Sequence, residues 1–360
     1  MNEIPTISSA SSYDFEMKAV FDEIKKISKS KKMESNNSSK NSEEIVIGLQ
    51  FPEGLKKHAM DIASKIEKET GTSVYISADP CFGACDLDMQ LLEKSDLFFH
   101  FGHAELKQGY DENIENKVRF IEARSKVDIT DAVSAAIPLL PEQTIGLVTT
   151  VQHVHQLENA KQILEAVGKT VIIGDGDERI AYPGQILGCN FSAAHSESEK
   201  CDAVLYIGSG QFHPIGTALS SKKRVVCADP FTSDVFELNY RKFLMQRSAV
   251  IGNASDAETF CIIVSTKNGQ YRKTLAESIK SKAEAHGKQA FILFMDLVTP
   301  DQMLSFKADA FVNTACPRLA IDDSGRYPAP VLTPQEFEIV LGERAWEDLV
   351  LDEILEGGQD

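Results

Sequence analysis

The sequence predicts an α/β protein made of three similar domains, each with a parallel sheet that helices cover. A strand–helix–strand pattern occurs three times along the 360 residues, and each crossover is long enough to hold a helix. The repeats begin roughly a hundred residues apart, which is typical of a triplicated unit. A chain of this length is also long for one hydrophobic core. We therefore place the domains at residues 1–140, 141–253 and 254–360.

Each unit begins with an apolar strand that leads into an amphipathic helix. The predicted first strands are Ile45–Phe51, Thr144–Thr150 and Phe260–Thr266. Apolar residues recur at helical spacing after each of them, which predicts a helix with one face towards the core. We expect the helices to end where a glycine can adopt positive φ, at Gly71, Gly168 and Gly287.

Further strands complete each unit in the same order. The second strands read SVYIS, TVIIG and QAFILF, and the third strands read LFFHFG, AVLYIG and AFVNT. A Lys-x-Asp sequence precedes every third strand, at Lys94–Asp96, Lys200–Asp202 and Lys307–Asp309. Candidate fourth strands lie at residues 118–123, 224–230 and 330–334. This repetition is the strongest structural signal in the sequence.

The first domain also contains an N-terminal helix and a polar tract, and the third domain ends in an acidic tail. Tyr13–Ile27 has apolar residues at helical spacing, which predicts an amphipathic helix. Ser28–Glu44 is dominated by Ser, Asn, Lys and Glu. Because such a segment cannot bury a core, we expect a mobile linker or insertion there.

Composition and charge argue against several classes of protein. No apolar run approaches the roughly 20 residues that span a bilayer, and the acidic N-terminus lacks the pattern of a signal peptide. The net charge of −17 disfavours nonspecific binding to nucleic acid. Seven cysteines, an odd number without a secretory leader, predict a reducing cytoplasm, where thiols more often bind metals or catalyse than form disulfides.

The seven cysteines fall into two groups by their position in the repeat. Three lie within or beside predicted strands and are expected to pack in the core, namely Cys201, Cys227 and Cys261. The other four lie in loops that follow strands, and these are Cys81, Cys85, Cys189 and Cys316. The carboxyl ends of parallel strands face one way, so three units about a pseudo-threefold axis can direct one loop each to a shared centre.

One thiolate from each unit would make a three-cysteine site. Iron–sulfur clusters are held by thiolates, and a [4Fe–4S] cluster with three of them keeps one iron open for substrate. Spacing alone leaves open the alternative that these are unrelated loop thiols. The Cys81-x3-Cys85 spacing by itself is weak evidence, since it is neither a CxxC pair nor the local cluster of common radical enzymes.

Other polar groups lie at strand ends, where they would meet the same centre. His103 and His213 follow third strands and are expected either to line the cavity or to brace their turns. The turn at residues 208–211 contains two glycines and allows close approach of the backbone to a ligand. Arg318 either holds a ligand carboxylate or pairs with the acids at residues 322–323, and we favour the pairing.

The loop sequences, taken in order, resemble the archaeal diphthamide synthase family, the 2-(3-amino-3-carboxypropyl)histidine synthases. The matching segments are LQFPEGL, FGACDLD, HFGHAEL, GQILGCN, GSGQFHPIG, ADPF and NTACPRLAIDD. The resemblance covers roughly Tyr13 to Pro334, and the ordered set of segments is far more specific than any one member. The polar insertion and the acidic tail after Glu336 depart from the family pattern, and we expect neither to touch a motif.

The resemblance implies a set of site residues. Cys85, Cys189 and Cys316 would each ligate a [4Fe–4S] cluster, and Cys81 sits where the family does not require cysteine. S-adenosylmethionine would bind at the open iron. Residues expected near this cosubstrate are His103, Gly210, Gln211, His213 and Arg318.

The resemblance also implies a reaction and its partners. The reduced cluster would cleave the bond from sulfur to Cγ of the methionine moiety, releasing methylthioadenosine and a 3-amino-3-carboxypropyl group with radical character. That group would add to imidazole C2 of a histidine in translation elongation factor 2, the first step of diphthamide synthesis. An external electron donor, a homodimer and a cytoplasmic location are the further expectations.

Three alternatives stay open at this point. A protein similar to quinolinate synthase would also combine three α/β units with one thiolate from each, and its open iron would act in a dehydration. A noncatalytic partner or electron-transfer subunit would hold a cluster without positioning a substrate. A structural zinc protein is disfavoured because the thiols are far apart in sequence and lack CxxC pairs.

Overall fold

The chain divides into two compact units in a computed structural model that describes residues 12–35, 44–106, 112–322 and 324–355. Unit 1 comprises residues 1–128 and 151–155, and unit 2 comprises residues 129–150 and 156–360. The α/β class is confirmed, since both units contain parallel sheets covered by helices. The finer division into three domains stays a prediction.

Unit 1 is built on a four-stranded parallel sheet. Its elements are β1 (Tyr13–Asp14), α1 (Met17–Ser35), β2 (Val46–Gln50), α2 (Ala59–Thr70), β3 (Ser73–Ile76), α3 (Met89–Lys94), β4 (Leu97–Phe101), α4 (Glu112–Lys117), β5 (Val118–Ile121) and β6 (Arg124–Ser125). The sheet order is β3-β2-β4-β5, and β1 pairs with β6 in a separate antiparallel ladder. Ile62 and Ile66 of α2 pack with Ile47 and Leu49 of β2 in one buried cluster.

Unit 2 contains two sheets. Elements around the first are α5 (Thr130–Ala136), β7 (Thr144–Thr149), α6 (Leu157–Ala166), β8 (Thr170–Ile172), α7 (Ser192–His195), β9 (Ala203–Ile207), α8 (Phe212–Ser221), β10 (Arg224–Ala228), β11 (Val235–Glu237) and α9 (Arg241–Ala254). Elements around the second are β12 (Thr259–Ser265), α10 (Lys273–Ala285), β13 (Gln289–Met295), α11 (Pro300–Leu304), β14 (Ala310–Asn313), α12 (Pro317–Ile321), β15 (Val331–Leu332) and α13 (Pro334–Val340).

The three large sheets have the same strand order. The second sheet runs β11-β10-β9-β7-β8 and the third runs β13-β12-β14-β15, so in each case the first strand lies between the second and the third. All neighbouring strands are parallel except β11, which pairs antiparallel with β10. All the predicted strands are present. Three strands that are only two or three residues long, β1, β6 and β11, were not predicted from the sequence.

The Lys-x-Asp sequences have one structural role in all three sheets. The carboxylates of Asp96, Asp202 and Asp309 accept hydrogen bonds from the amides of Val46, Thr144 and Thr259, at 2.9, 3.0 and 2.9 Å. Each aspartate amide in turn donates to the carbonyl of the same residue. These paired bonds join the start of every third strand to the start of the first strand, and so set their register.

The glycines predicted to end the helices adopt the expected backbone conformation. Gly71, Gly168 and Gly287 have φ values of 68°, 83° and 73°. Side chains other than glycine enter this region at a cost, which explains why the helix ends could be located from sequence.

The N-terminal prediction was partly wrong. Residues 13–14 form a strand, and the helix runs from Met17 to Ser35, well into the tract predicted as a linker. Lys31 anchors the extension with an ion pair to Asp96 at 2.6 Å, an interaction that residue composition does not reveal. Residues 36–43 of the tract lie outside the described residues. In the part of the chain that the structure describes, no helix is both long and apolar enough to cross a membrane.

Replacing Asp202 by alanine should lower the free energy of unfolding by about 1 kcal/mol, because the Thr144 amide loses its carboxylate acceptor. Urea denaturation followed by circular dichroism measures the change. Asp256→Ala, at an exposed aspartate between α9 and β12, is the matched control and should have an effect below about 0.5 kcal/mol. Equal effects of the two substitutions would contradict this role.

Candidate metal centre

Burial separates the cysteines into two groups. Cys81, Cys201, Cys227 and Cys261 are at most 4% exposed. Cys85, Cys189 and Cys316 are half-buried and keep part of their surface open. Core packing of Cys201, Cys227 and Cys261 is therefore confirmed, and burial raises the pKa of the Cys227 thiol to about 12. Such a thiol is a poor source of thiolate for a metal.

The Cys85 loop lies between β3 and α3 and is fixed by side chains on both sides. Gln50 at the end of β2 donates from Nε2 to the carbonyl of Asp86 at 2.8 Å. Asp88 caps α3 by accepting from the Leu91 amide at 3.0 Å. A Cβ on Gly83 would lie 3.2 Å from the Cys85 sulfur, so glycine leaves room for the thiol.

The Cys189 loop is a tight turn between β8 and α7. The amide of Leu187 donates to the carbonyl of Asn190 at 2.9 Å, which closes the turn around Cys189. The buried Asn190 amide donates to both carboxylate oxygens of Asp177, at 3.0 and 2.9 Å. Its own side-chain oxygen accepts from the amide and the hydroxyl of Ser192. Cys189 is thus presented on a rigid turn.

Cys316 is the N-cap residue of α12 and lies three residues after the end of β14. Asn313 spans the turn, because its side-chain amide donates to the Cys316 carbonyl at 2.9 Å and its oxygen accepts from the Ala315 amide at 3.1 Å. The Thr314 hydroxyl donates to the Ile263 carbonyl at 2.6 Å. Residues 313–316 are therefore fixed at the end of the sheet by hydrogen bonds of their own side chains.

A buried arginine fixes the carbonyls that lead into Cys316. Arg272, just before α10, donates from Nε to the carbonyl of Thr314 at 2.7 Å and from Nη2 to that of Ala315 at 2.9 Å. Both terminal nitrogens also bind the carboxylate of Asp352, at 3.1 and 2.6 Å. The side chains of Arg272 and Asp352 are only 4% and 2% exposed. Neither residue was predicted from the sequence.

The C-terminal strap, residues 352–354, reaches the Cys189 turn as well. The amide of Ile354 donates to the Cys189 carbonyl at 2.7 Å, and the Glu353 carboxylate accepts from the Phe191 amide at 2.6 Å. Burial raises the pKa of the Glu353 carboxyl to about 7. The expectation that the acidic tail touches no motif was wrong, because the strap ties the Cys189 turn to Arg272 and through it to the Cys316 turn.

The two cysteine turns of unit 2 are also neighbours through Gly188 and Arg318. A Cβ on Gly188 would lie 3.1 Å from Cδ of Arg318 and 3.2 Å from the Phe212 ring. Arg318 pairs with Asp322 at 2.6 Å, as we favoured from the sequence, and its guanidinium lies 4.7 Å from the centre of the Phe212 ring. Asp323 lies outside the described residues.

The other predicted ligand-binding residues occupy two places. Gly210 and Gln211 are exposed in the turn before α8, where Gly210 has a φ of 81°. His213, in the first turn of α8, is half-buried and stacks on Tyr206, and burial lowers the pKa of its imidazole to about 4. His103 lies in unit 1, where its Nδ1 is 2.9 Å from Nε2 of His100, so that it braces its turn.

Fold and loops together define a class: a parallel α/β protein that presents thiols from rigid turns at the ends of its strands. The family described as "Putative diphthamide synthesis protein" matches residues 51–350. The chain belongs to this family. Because the match extends to residue 350, most of the tail after Glu336 lies within the family pattern rather than outside it.

Similar proteins are known from archaea and from animals. A Pyrococcus horikoshii protein named 2-(3-amino-3-carboxypropyl)histidine synthase is 38% identical over 316 residues, which cover 87% of this chain and 90% of that protein. The human protein named subunit 1 of this synthase is 28% identical, covering 84% of this chain and 69% of its own length. The crystal structure of Dph2 from P. horikoshii with a 4Fe-4S cluster matches with a TM-score of 0.83 and 34% identity, covering 96% of both chains.

Asp352→Ala should lower the free energy of unfolding by about 3–5 kcal/mol, because it leaves the Arg272 guanidinium buried without its carboxylate. Urea denaturation of the metal-free protein measures the loss. Asp348→Ala, at an exposed aspartate four residues earlier, is the control and should change stability by less than about 0.5 kcal/mol. A loss below about 1 kcal/mol for Asp352→Ala would contradict the importance of the pair.

Proposed function

We propose that this protein transfers the 3-amino-3-carboxypropyl group of S-adenosylmethionine to imidazole C2 of a histidine in translation elongation factor 2, the first step of diphthamide synthesis. One observation carries the proposal. Among the seven cysteines, all of which lie in the described residues, Cys85, Cys189 and Cys316 are the partly open ones, and each follows strands of a different parallel sheet. The name of the 38% identical Pyrococcus horikoshii protein supports the same reaction.

The proposed cofactor is a [4Fe–4S] cluster with one ligand from each of these three cysteines. Partly open thiols on rigid turns suit this group, since cluster iron is bound by thiolates and a turn fixed by hydrogen bonds holds its sulfur in place. The cluster in the Pyrococcus horikoshii structure supports this assignment. The matching strand order supports the further proposal that the three sheets belong to repeats of one unit, with the domain limits given above.

The bound, reduced cluster would supply one electron to the sulfonium, so that the bond from sulfur to Cγ breaks into methylthioadenosine and a carbon radical. Addition of this radical to imidazole C2 forms the new carbon–carbon bond. Loss of one proton and one electron from the adduct then restores the aromatic ring. The transfer itself is therefore redox-neutral, although an external donor must first reduce the protein.

The residues proposed to hold S-adenosylmethionine lie together in unit 2. Nε and Nη2 of Arg318 both donate to Oδ2 of the exposed Asp322 carboxylate, and the guanidinium can exchange this carboxylate for that of the methionine moiety. His213 stays neutral at pH 7, since burial lowers its pKa to about 4, and so it does not repel the positive sulfonium. Gly210 and Gln211 offer exposed backbone and amide groups beside it. His103, the other residue expected near this cosubstrate, lies in unit 1 and is hydrogen-bonded to His100.

Elongation factor 2 as the acceptor, a homodimeric assembly and a cytoplasmic location complete the proposal. The protein substrate follows from the reaction, because diphthamide is a modified histidine of that factor. Nucleic acid is not required, in keeping with the net charge of −17.

The test is anaerobic reconstitution with iron and sulfide, followed by reduction and addition of S-adenosylmethionine. We expect methylthioadenosine and a product derived from the aminocarboxypropyl fragment, both detected by mass spectrometry. Cys85→Ala, Cys189→Ala and Cys316→Ala should each lose the cluster and this cleavage. Cys227→Ala and Cys261→Ala are the matched controls, which should keep the iron and lose only packing stability.

Other products would argue for other functions. Deoxyadenosine in place of methylthioadenosine would indicate ordinary radical chemistry. An intact cluster without any cleavage would favour the dehydratase or the accessory subunit. Complete loss of iron from Cys227→Ala or Cys261→Ala would contradict the sorting of the cysteines.

A further inference from the structure

Unit 1 contains a compact group of three metal-binding side chains that the proposed cluster does not use. Nε2 of His100 lies 2.9 Å from Nδ1 of His103 and 4.0 Å from the sulfur of Cys81. All three ligand atoms lie within 4.8 Å of one another. His100 and Cys81 are 0% and 3% exposed, and His103 is half-buried. Two imidazoles and a thiol in one buried place are the donor types that zinc prefers.

A hydrogen bond outside the group fixes the tautomer of His100. Gln50 donates from Nε2 to the Asp86 carbonyl at 2.8 Å, so its side-chain oxygen is the atom that faces His100. That oxygen lies 2.9 Å from Nδ1 of His100 and can only accept, so Nδ1 carries the proton. The lone pair of Nε2 therefore points towards His103 and Cys81. This is the outer-sphere arrangement that orients histidine ligands in metal sites.

The distances within the group are close to those of a zinc site. Tetrahedral zinc would need N–N and N–S separations of about 3.4 and about 3.6 Å, given bonds of about 2.0–2.1 and 2.3 Å. The observed distances of 2.9 and 4.0 Å require shifts of about half an ångström.

We propose that Cys81, His100 and His103 form a second, mononuclear site that binds zinc. The thiol loses its proton on binding, and a water molecule completes the tetrahedron. Because Cys81 lies four residues before Cys85 and the histidines lie at the end of β4, the bound zinc would join the Cys85 loop to the central sheet of unit 1. The site is separate from the proposed cluster, since none of its ligands is assigned to the cluster.

The first experiment measures zinc in the cluster-loaded protein after incubation with zinc sulfate and desalting. About one zinc per chain is expected from wild-type protein by elemental analysis. Cys81→Ser should lose the zinc and keep its iron, whereas Cys261→Ser, a matched change at another buried thiol, should keep both. Gln50→Leu should weaken zinc binding by about 10–100-fold, because it removes the acceptor that orients His100.

The second experiment removes the cluster thiols, so that iron ligands cannot be mistaken for the new site. The variant Cys85→Ser, Cys189→Ser, Cys316→Ser is titrated with cobalt(II), whose thiolate charge-transfer and tetrahedral d–d bands report the ligand set. One equivalent with both bands is expected. Adding Cys81→Ser should abolish the charge-transfer band, and adding His103→Gln should change the d–d bands.

Three results would overturn the proposal. The first is wild-type protein that retains no zinc after desalting. The second is zinc that persists in Cys81→Ser at the wild-type stoichiometry. The third is loss of iron together with zinc in Cys81→Ser, which would make Cys81 a ligand of the cluster. The zinc and cobalt measurements do not depend on cleavage of S-adenosylmethionine. The proposed zinc site and the proposed function can therefore fail separately.

Discussion

The buried ion pair of Arg272 and Asp352 is the interaction on which the candidate centre of unit 2 depends. Taking both charges out of water costs several kcal/mol per ion. The two hydrogen bonds between Arg272 and Asp352, with two more from Arg272 to backbone carbonyls, offset that cost. The carbonyls belong to Thr314 and Ala315, and the carboxylate belongs to the strap that binds the Cys189 turn. One pair thus holds two cysteine turns that are more than a hundred residues apart in sequence.

Much of the fold could be predicted from the sequence because its signals are local and repeated. Apolar strands, helices that end at positive-φ glycines and the Lys-x-Asp sequences recur in one order, and each has a cause in backbone chemistry. The short antiparallel strand β11 and the extension of α1 to Ser35 were missed. The extension of α1 is held by a distant partner, Asp96, which pairs with Lys31 and which composition does not reveal. β11 is only three residues long and pairs with the neighbouring strand β10.

The candidate centre was predictable only in part. Position in the repeat separated three core thiols from four loop thiols, and the structure shows the same division in exposure except at Cys81, a loop thiol that is only 3% exposed. The supporting residues were not found, because Arg272, Asp352 and Gln50 act through carbonyls and side chains 36 to 80 residues away. His100 lies in a strand whose other residues are apolar, and its burial was not predicted to matter. A histidine at a fully buried strand position needs a polar partner, and this signal could have pointed to one.

The most direct test of the account is cysteine alkylation mapped by mass spectrometry, with and without the reconstituted cluster, under anaerobic conditions. We predict that iodoacetamide modifies Cys85, Cys189 and Cys316 in the metal-free protein and that cluster loading protects all three. Cys227 should resist in both states, because burial raises its pKa to about 12. Equal modification of any one of the three, with and without the cluster, would contradict the claim that each supplies a ligand.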